Sequence, residues 1–210
     1  LWRRDPVGAT RTKHDAILAM LKNVSQSQMI LMPTTNSAYG SGDKDNFCTE
    51  ESELRPISQY AIEKVKVEKE LMQHPNAISF RLATVFGMSP RMRIDLLVND
   101  FTYRAVRDRF VVLFESSFKR NYIHVRDIAR VFAHGIENYE KMNGQIYNVG
   151  LSDANVSKME LCQIIQKQAP DFTFLDAPIG KDPDQRNYIV SNAKIEATGY
   201  KPQVSLDAGI

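Results

Sequence analysis

The chain has 210 residues, 43% of them hydrophobic and 25% charged, the balance of an ordinary folded chain of one to two domains with enough apolar residues for a core. Its 27 basic and 25 acidic side chains leave a net charge of +2, too even to indicate a nucleic-acid or membrane-surface partner. Two widely spaced cysteines, Cys48 and Cys162, and no Cys/His spacing argue against a disulfide scaffold and a structural metal, and point to free thiols in a reducing cytoplasm. No apolar run reaches about 18 residues, and no apolar signal core follows Leu1-Trp2-Arg3-Arg4-Asp5-Pro6, so a soluble, non-exported protein is expected.

In chain order, Ile17, Met20, Leu21 and Val24 fall at i, i+3, i+4, i+7 and predict an amphipathic helix over residues 13–24. Met29 to Met32 reads as a buried strand that runs into a hydroxyl-rich stretch, Thr34-Thr35-Asn36-Ser37-Ala38-Tyr39-Gly40. A helix opened by Pro56 follows. On it Tyr60 and Lys64 share a face with Ile57, Ala61 and Leu71, while Glu63, Lys66 and Glu70 point the other way. Ala77 to Leu82 is a second strand, so strand, helix and strand at these lengths predict a parallel sheet with ligands at its carboxyl edge, where Thr35 and Thr84 would lie. Beyond Met88 come a basic loop (Ser89 to Arg93), a helical pattern from Ile94 to Arg107, and short strands at Val111–Phe114 and Tyr122–His124. Asp127 is expected to cap a helix reaching Tyr139, Gln145–Val149 to return as a strand, and Ser157 to cap a last helix with Met159, Leu161, Ile164 and Ile165 on its apolar side. Ser205 reads as a cap with no helix after it.

A lysine on an apolar stripe breaks local consistency, and such breaks gather at functional sites. A tyrosine hydroxyl titrates near pH 10, and a neighbouring ammonium favours its phenolate and brings it towards use as a general base. With 8 tyrosines in the chain, about half a Tyr-x-x-x-Lys spacing is expected by chance, so the spacing needs its context. None of the ten glycines forms a Gly-x-x-Gly-x-x-Gly phosphate turn, and the chain begins without methionine; it is therefore expected to be a piece of a longer enzyme. His124 is expected in the core, and Cys48 as a buried structural thiol.

Thr35 at a strand end, Tyr39-Gly40 four residues on, and Tyr60-x-x-x-Lys64 together resemble the extended short-chain dehydrogenase/reductase (NAD-dependent epimerase/dehydratase) family. The resemblance implies an α/β fold, a Rossmann-like doubly wound parallel sheet lacking its N-terminal half. Residues 1–87 would belong to the NAD-binding domain, and 88–210 mainly to a small substrate domain with segments returning to the sheet. It implies that Thr35 binds the sugar hydroxyl, Tyr60 moves its proton, and Lys64 holds the nicotinamide ribose. Thr34 and the backbone near Leu82 would join the NAD site, and Thr84 would face substrate. Arg120, in Arg120-Asn121-Tyr122-Ile123-His124-Val125, and Arg186, in Asp182-Pro183-Asp184-Gln185-Arg186, match arginines that grip a nucleotide diphosphate, as planar always-charged forks suit phosphate. Asn99 matches an asparagine at the same diphosphate. Arg91 and Arg93 lie in the loop where the family receives the nucleotide, and are equally well read as surface charges.

Dehydratases of the family carry Asp-Glu or Ser-Glu directly after the threonine, where this chain has Asn36 and Ser37, neither able to take a carbon-bound proton near neutral pH. Oxidation at a ring carbon remains, as a net 4-dehydrogenase or as a 4-epimerase. Longer stretches (Cys48 to Ser52, Arg81 to Phe101, Asn192 to Gly199) resemble the GDP-heptose C4 dehydrogenase subgroup of bacterial surface polysaccharide biosynthesis. The partners implied are NAD, a GDP- or UDP-linked sugar, and a second copy of the chain docked through the helices matching 13–24 and 56–73. A non-catalytic nucleotide-binding relative, or an inactive fragment, is the competing reading.

Overall fold

A computed structural model describes residues 5–42, 46–182 and 184–210. The opening Leu1 to Arg4, read above for a signal sequence, and Pro183 of the arginine segment lie outside them. The first helical stretch is α1 (Pro6–Thr10), a turn of π-helix (Arg11–Asp15) and α2 (Ala16–Asn23). Next come β1 (Ile30–Thr35), a 3-10 turn (Asn36–Tyr39), α3 (Gln59–Leu71), β2 (Ala77–Leu82) and β3 (Thr84–Phe86). The later half holds α4 (Leu97–Arg107), β4 (Phe110–Leu113), β5 (Lys119–His124), α5 (Val125–Glu137), α6 (Tyr139–Met142) and β6 (Ile146–Val149). The last elements are β7 (Asn155–Ser157), α7 (Lys158–Gln168), β8 (Thr173–Asp176), α8 (Ala193–Glu196) and α9 (Leu206–Gly209).

Three parallel strands in the order β1-β2-β6 form the sheet that carries the candidate site. Alternation along β1 turns Ile30 and Met32 towards Ile17, Leu21 and Leu71 on α2 and α3, and Leu31 towards Phe80, Val131 and Phe132 on the opposite side. Helices therefore cover both faces, the arrangement in which parallel strands read as near-continuous apolar runs. Burial of Ile78, Phe80, Leu71 and Ile123, each with no exposed surface, contributes roughly 1.5–3 kcal/mol per side chain. β3 continues from β2 after the single residue Ala83 and pairs with β5, which in turn pairs antiparallel with β7; β4 and β8 form a separate parallel pair.

Several local expectations shift. α3 begins at Gln59, three residues beyond Pro56, and is capped by Ser58, whose hydroxyl accepts from Ala61 N at 3.3 Å. Ile57 is exposed, and Glu63, assigned above to the outer face, is buried and accepts from Gln59 at 2.6 Å. α5 is capped by His124 through Nδ1, 3.2 Å from Arg126 N. Asp127, the residue expected to cap it, is wholly buried in its first turn, where it accepts from Gln203 N (2.9 Å) and Val204 N (3.0 Å) and so fastens the C-terminal segment. Ser157 does cap α7, in a reciprocal pair with Glu160. Ser205 caps a one-turn helix, and β8 had no periodic signal in the sequence.

Candidate active site

Parallel register places Thr35 beside Leu82, and Leu82 beside Val149, in one row across the carboxyl edge of the sheet. Open α/β sheets gather ligands along that edge. The chain leaves β1 through the 3-10 turn, where the Thr35 hydroxyl accepts from Ser37 N at 3.1 Å. Its own proton is thereby left free, and Thr35 acts on Tyr60 by lowering the phenol's pKa. Gly40 ends the turn at φ 63, and a Cβ there would collide with the Arg55 carbonyl oxygen, so no other residue fits the turn as built.

Tyr60 stands at the start of α3, partly buried, and burial raises its pKa. Thr35 beside it and the positive charges of Arg186 and Arg93 pull it back without cancelling that rise. Lys64, one turn on, donates to the Pro33 carbonyl at 2.9 Å; burial, then repulsion from Lys13, lowers its pKa. The cations acting on the phenol are thus Arg186 and Arg93, with Lys13 over its ring at 6.0 Å from the centroid, and the sequence pattern had offered Lys64 for that part. Lys13 lies in the π-helical turn, at the start of the helix expected over residues 13–24.

Behind this row lies a buried polar network. Glu68, four residues beyond Lys64, takes Arg81 Nε at 3.0 Å and Nη2 at 2.6 Å on one oxygen, and Thr34 at 2.9 Å and Ser79 at 2.7 Å on the other. Arg81 Nη1 donates to the Tyr39 hydroxyl at 3.0 Å, which sits 2.6 Å from Asn148 Oδ1. The Thr34 hydroxyl, expected above at the cofactor site, is thus engaged within the fold. Burial lifts the Tyr39 phenol to about 12, against the partial offset of Arg81.

Asn99 also differs from expectation. Its Oδ1 accepts from Gly87 N and its Nδ2 donates to the Arg93 carbonyl, each at 3.0 Å, so the amide pins the loop between β3 and α4. Gly87 needs that hold: it lies at φ 102, packed so closely against the His124 ring that a Cβ would overlap it. Arg93, in the same loop, is forked onto Asp95 at 2.7 and 2.6 Å. Thr84 opens β3, partly buried, next to Tyr122 in register.

Arg120 and Arg186 meet on one carboxylate. Arg120 donates to Asp184 Oδ2 at 2.7 Å and to the Asp184 carbonyl at 3.0 Å. Arg186 Nε reaches Asp184 Oδ1 at 2.7 Å, its Nη2 reaches Oδ2, and its Nη1 donates to Ser37 Oγ. Burial opposes charge on Asp184, yet Arg186 and Arg120 together hold its pKa far below the usual carboxylate range. Through Ser37 the arginine pair is joined to the turn that carries Thr35. Tyr188, also buried, follows on the same segment. Neither Asp184 nor Ser37 was singled out in the sequence for this contact, although both flank residues that were. Among the described residues no group of three or more His, Cys, Asp or Glu could hold a metal, and no helix is long and apolar enough to cross a membrane. Both cysteines are buried, and burial lifts Cys162 to about 12.

An α/β sheet with its polar side chains gathered at the carboxyl edge is the layout of a nucleotide-cofactor enzyme. Residues 5–150 match the model of the NAD dependent epimerase/dehydratase family, and the chain belongs to that family. CDP-paratose 2-epimerase of Salmonella typhi is 24% identical over 191 residues, covering 84% of this chain and 56% of that protein. UDP-glucose 4-epimerase of Thermus thermophilus, solved with NAD, superposes with a TM-score of 0.82 at 22% identity, over 98% of this chain and 70% of that one. The dTDP-glucose 4,6-dehydratase of Bacillus anthracis, also solved with NAD, gives 0.79 at 19% identity, over 95% and 65%. At these identities the superpositions establish the Rossmann-like fold. The chain spans 56 to 61% of the length of the curated relatives it matches.

Proposed function

We propose that this chain carries the catalytic residues of an NAD-dependent oxidoreductase acting on the C4 hydroxyl of a nucleotide-activated sugar, a GDP-heptose by the sequence resemblance. The observation that carries the reading is the placing of Thr35 beside Tyr60, whose pKa it lowers, at the carboxyl edge of the sheet, with Lys64 one turn behind. NAD, when bound, supplies the hydride acceptor. The residues present suit its nicotinamide end. Both amide atoms of Asn36, next to Thr35, are buried without a protein partner, and Lys64 holds its ammonium at the end of β1. No glycine-rich turn for the pyrophosphate occurs in the sequence given.

In this reading Tyr60 takes the sugar hydroxyl proton, and Thr35 lowers the tyrosine pKa against the burial that raises it. Arg186 and Arg93 add positive charge around it. Arg120 and Arg186 would take the diphosphate, a pairing of planar forks with phosphate oxygens. Ser37 is occupied by Arg186 and Asn36 has no ionisable group, which supports hydroxyl oxidation over dehydration. A 4-epimerase uses the same residues, and the similarity to a UDP-glucose 4-epimerase supports it as the second reading.

The test is absorbance at 340 nm of the full-length protein incubated with GDP and UDP sugars. A lasting rise with a released 4-ketosugar is the dehydrogenase outcome; an inverted C4 sugar with no lasting rise is the epimerase outcome. Tyr60→Phe should lower turnover by roughly 10²–10⁴-fold while cofactor binding persists. Retained turnover in that variant would remove Tyr60 from the mechanism. A homodimer through α2 and α3 belongs to the same proposal, and sedimentation of the full-length protein decides it.

A further inference from the structure

The paired arginines do not present an open phosphate site. The Arg120 side chain is 4% exposed, and it is paired with Asp184, itself 38% exposed. Two of the Arg120 donors are spent on Asp184, and its buried Nε has no protein partner. Three donors of Arg186 are spent on Asp184 and Ser37. The segment bearing Asp184 is fixed on both sides. Asp182 is ion-paired to the buried Lys158, and its amide donates to Glu115 at 3.0 Å. Asn187 accepts from Lys119 N at 2.9 Å and from Gly42 N at 3.0 Å, and Tyr188 N donates to the Lys119 carbonyl at 3.1 Å.

From this arrangement we infer that Asp184 is an internal competitor for the site: its carboxylate occupies the fork that a diphosphate takes, and the ligand enters by displacing it. Because the segment is anchored at Asp182 and Asn187, the exchange is a rotation of the Asp184 side chain and needs no opening of the whole loop. Two guanidiniums and one carboxylate leave an excess of one positive charge, so the cluster still attracts an anion while Asp184 is in place. A phosphate group carries more charge and more acceptor oxygens than a carboxylate, so it can replace Asp184 on both forks at once. A monocarboxylate offers nothing that Asp184 does not already provide. The cluster therefore discriminates for diphosphates over carboxylate-bearing metabolites.

This inference rests on the diphosphate reading of Arg120 and Arg186, and the experiment separates the two. Titrating the full chain with inorganic pyrophosphate, UDP and GDP, by calorimetry, compares wild type with Asp184→Asn, Asp184→Ser and Arg186→Met. With the competitor removed, Asp184→Asn and Asp184→Ser should bind all three probes about tenfold more tightly, a modest share of what one like charge at this range exerts. Arg186→Met should weaken binding. Binding unchanged by Arg186→Met overturns the diphosphate reading itself. Binding that depends on Arg186 but is unchanged or weakened in both Asp184 variants keeps that reading and overturns the competitor, leaving Asp184 as a brace for the arginines. Thermal melts show that each variant is folded, and either Asp184 variant alone suffices.

Discussion

Two arginine–carboxylate pairs lie on either side of the Thr35 turn, alike in chemistry and opposite in setting. Arg81 and Glu68 are both sealed, at 4% and 5% exposure, and their remaining donors and acceptors are taken up by Thr34, Ser79 and Tyr39. Arg120 is as deeply covered, but its partner Asp184 is open to solvent on one side and Arg120 Nε is left over. A sealed and fully satisfied pair cannot exchange partners without leaving a charge in the low-dielectric interior, so it acts as scaffold. A pair with one exposed partner can exchange it for a ligand at low cost. Geometry of the contact alone does not separate the two; the accounting of exposure and spare donors does.

The largest expected effect tests the sealed member. Glu68→Gln keeps the shape and removes the charge, leaving Arg81 buried without a counter-ion and Thr34 and Ser79 donating to a weaker acceptor. The loss should be roughly 3–5 kcal/mol of folding stability. For a chain of this size that is a fall in Tm of roughly 10 °C, read by circular dichroism. A loss under about 1 kcal/mol would mean that the network is not the rigid backing of the Thr35 row.

How much of this was legible in the sequence follows the same division. Apolar periodicity located the strands and helices of the β1-β2-β6 sheet, because a buried parallel strand must be apolar along its length, and Tyr60-x-x-x-Lys64 stood out because lysine violates its stripe. Arg81 lies inside an apolar strand and Glu68 on a helix full of charges, yet their partnership spans 13 residues and two elements, and no local pattern encodes it. The helix wheel placed Glu63 outside because it assumed one buried face, whereas α3 is covered on one side by β1 and on another by the stretch holding His14, 3.7 Å from Glu63. Asp127 was misread for a related reason: an acidic residue in a first helical turn looks like a cap, and the chain end that it binds is more than 70 residues away. Asp184 gave no signal, since a surface aspartate beside an arginine is the commonest of arrangements.

A middle-sized effect concerns the far end of β5, the strand that begins beside Arg120. His124 caps α5 by accepting on Nδ1, which requires the neutral ring. Burial lowers its pKa, with Asp127 pulling the other way. A histidine whose folded pKa is depressed binds fewer protons folded than unfolded, so its contribution is complete above the unfolded value of about 6.5 and is lost as pH falls from there through the folded value. Asp184 stays ionised across that range, being held far below the ordinary carboxylate values, so the arginine cluster contributes no such slope. Urea melts between pH 7.5 and 5 should show stability falling with acid by about 1 kcal/mol, the usual worth of a cap, and His124→Asn should flatten the profile while keeping a capping acceptor. An unchanged slope in that variant would place the titrating group elsewhere.

The smallest effect is the most telling for the comparison. Asp184→Asn is the same carboxylate-to-amide change as Glu68→Gln, made on a carboxylate with as many charged donors around it, yet its stability cost should be clearly the smaller of the two, because Asp184 is partly exposed. The Asp184 carbonyl continues to accept from Arg120, the asparagine oxygen continues to accept from one guanidinium, and water reaches the open side to solvate the rest. Added salt should shrink the difference further, because a partly exposed pair is screened and a sealed one is not. Melting the two variants in parallel at low and high salt reads the contrast directly: a large, salt-insensitive loss for Glu68→Gln against a small, salt-sensitive one for Asp184→Asn. Equal losses would mean that Asp184 is as much a part of the scaffold as Glu68, and that its carboxylate is not free to give way to a ligand.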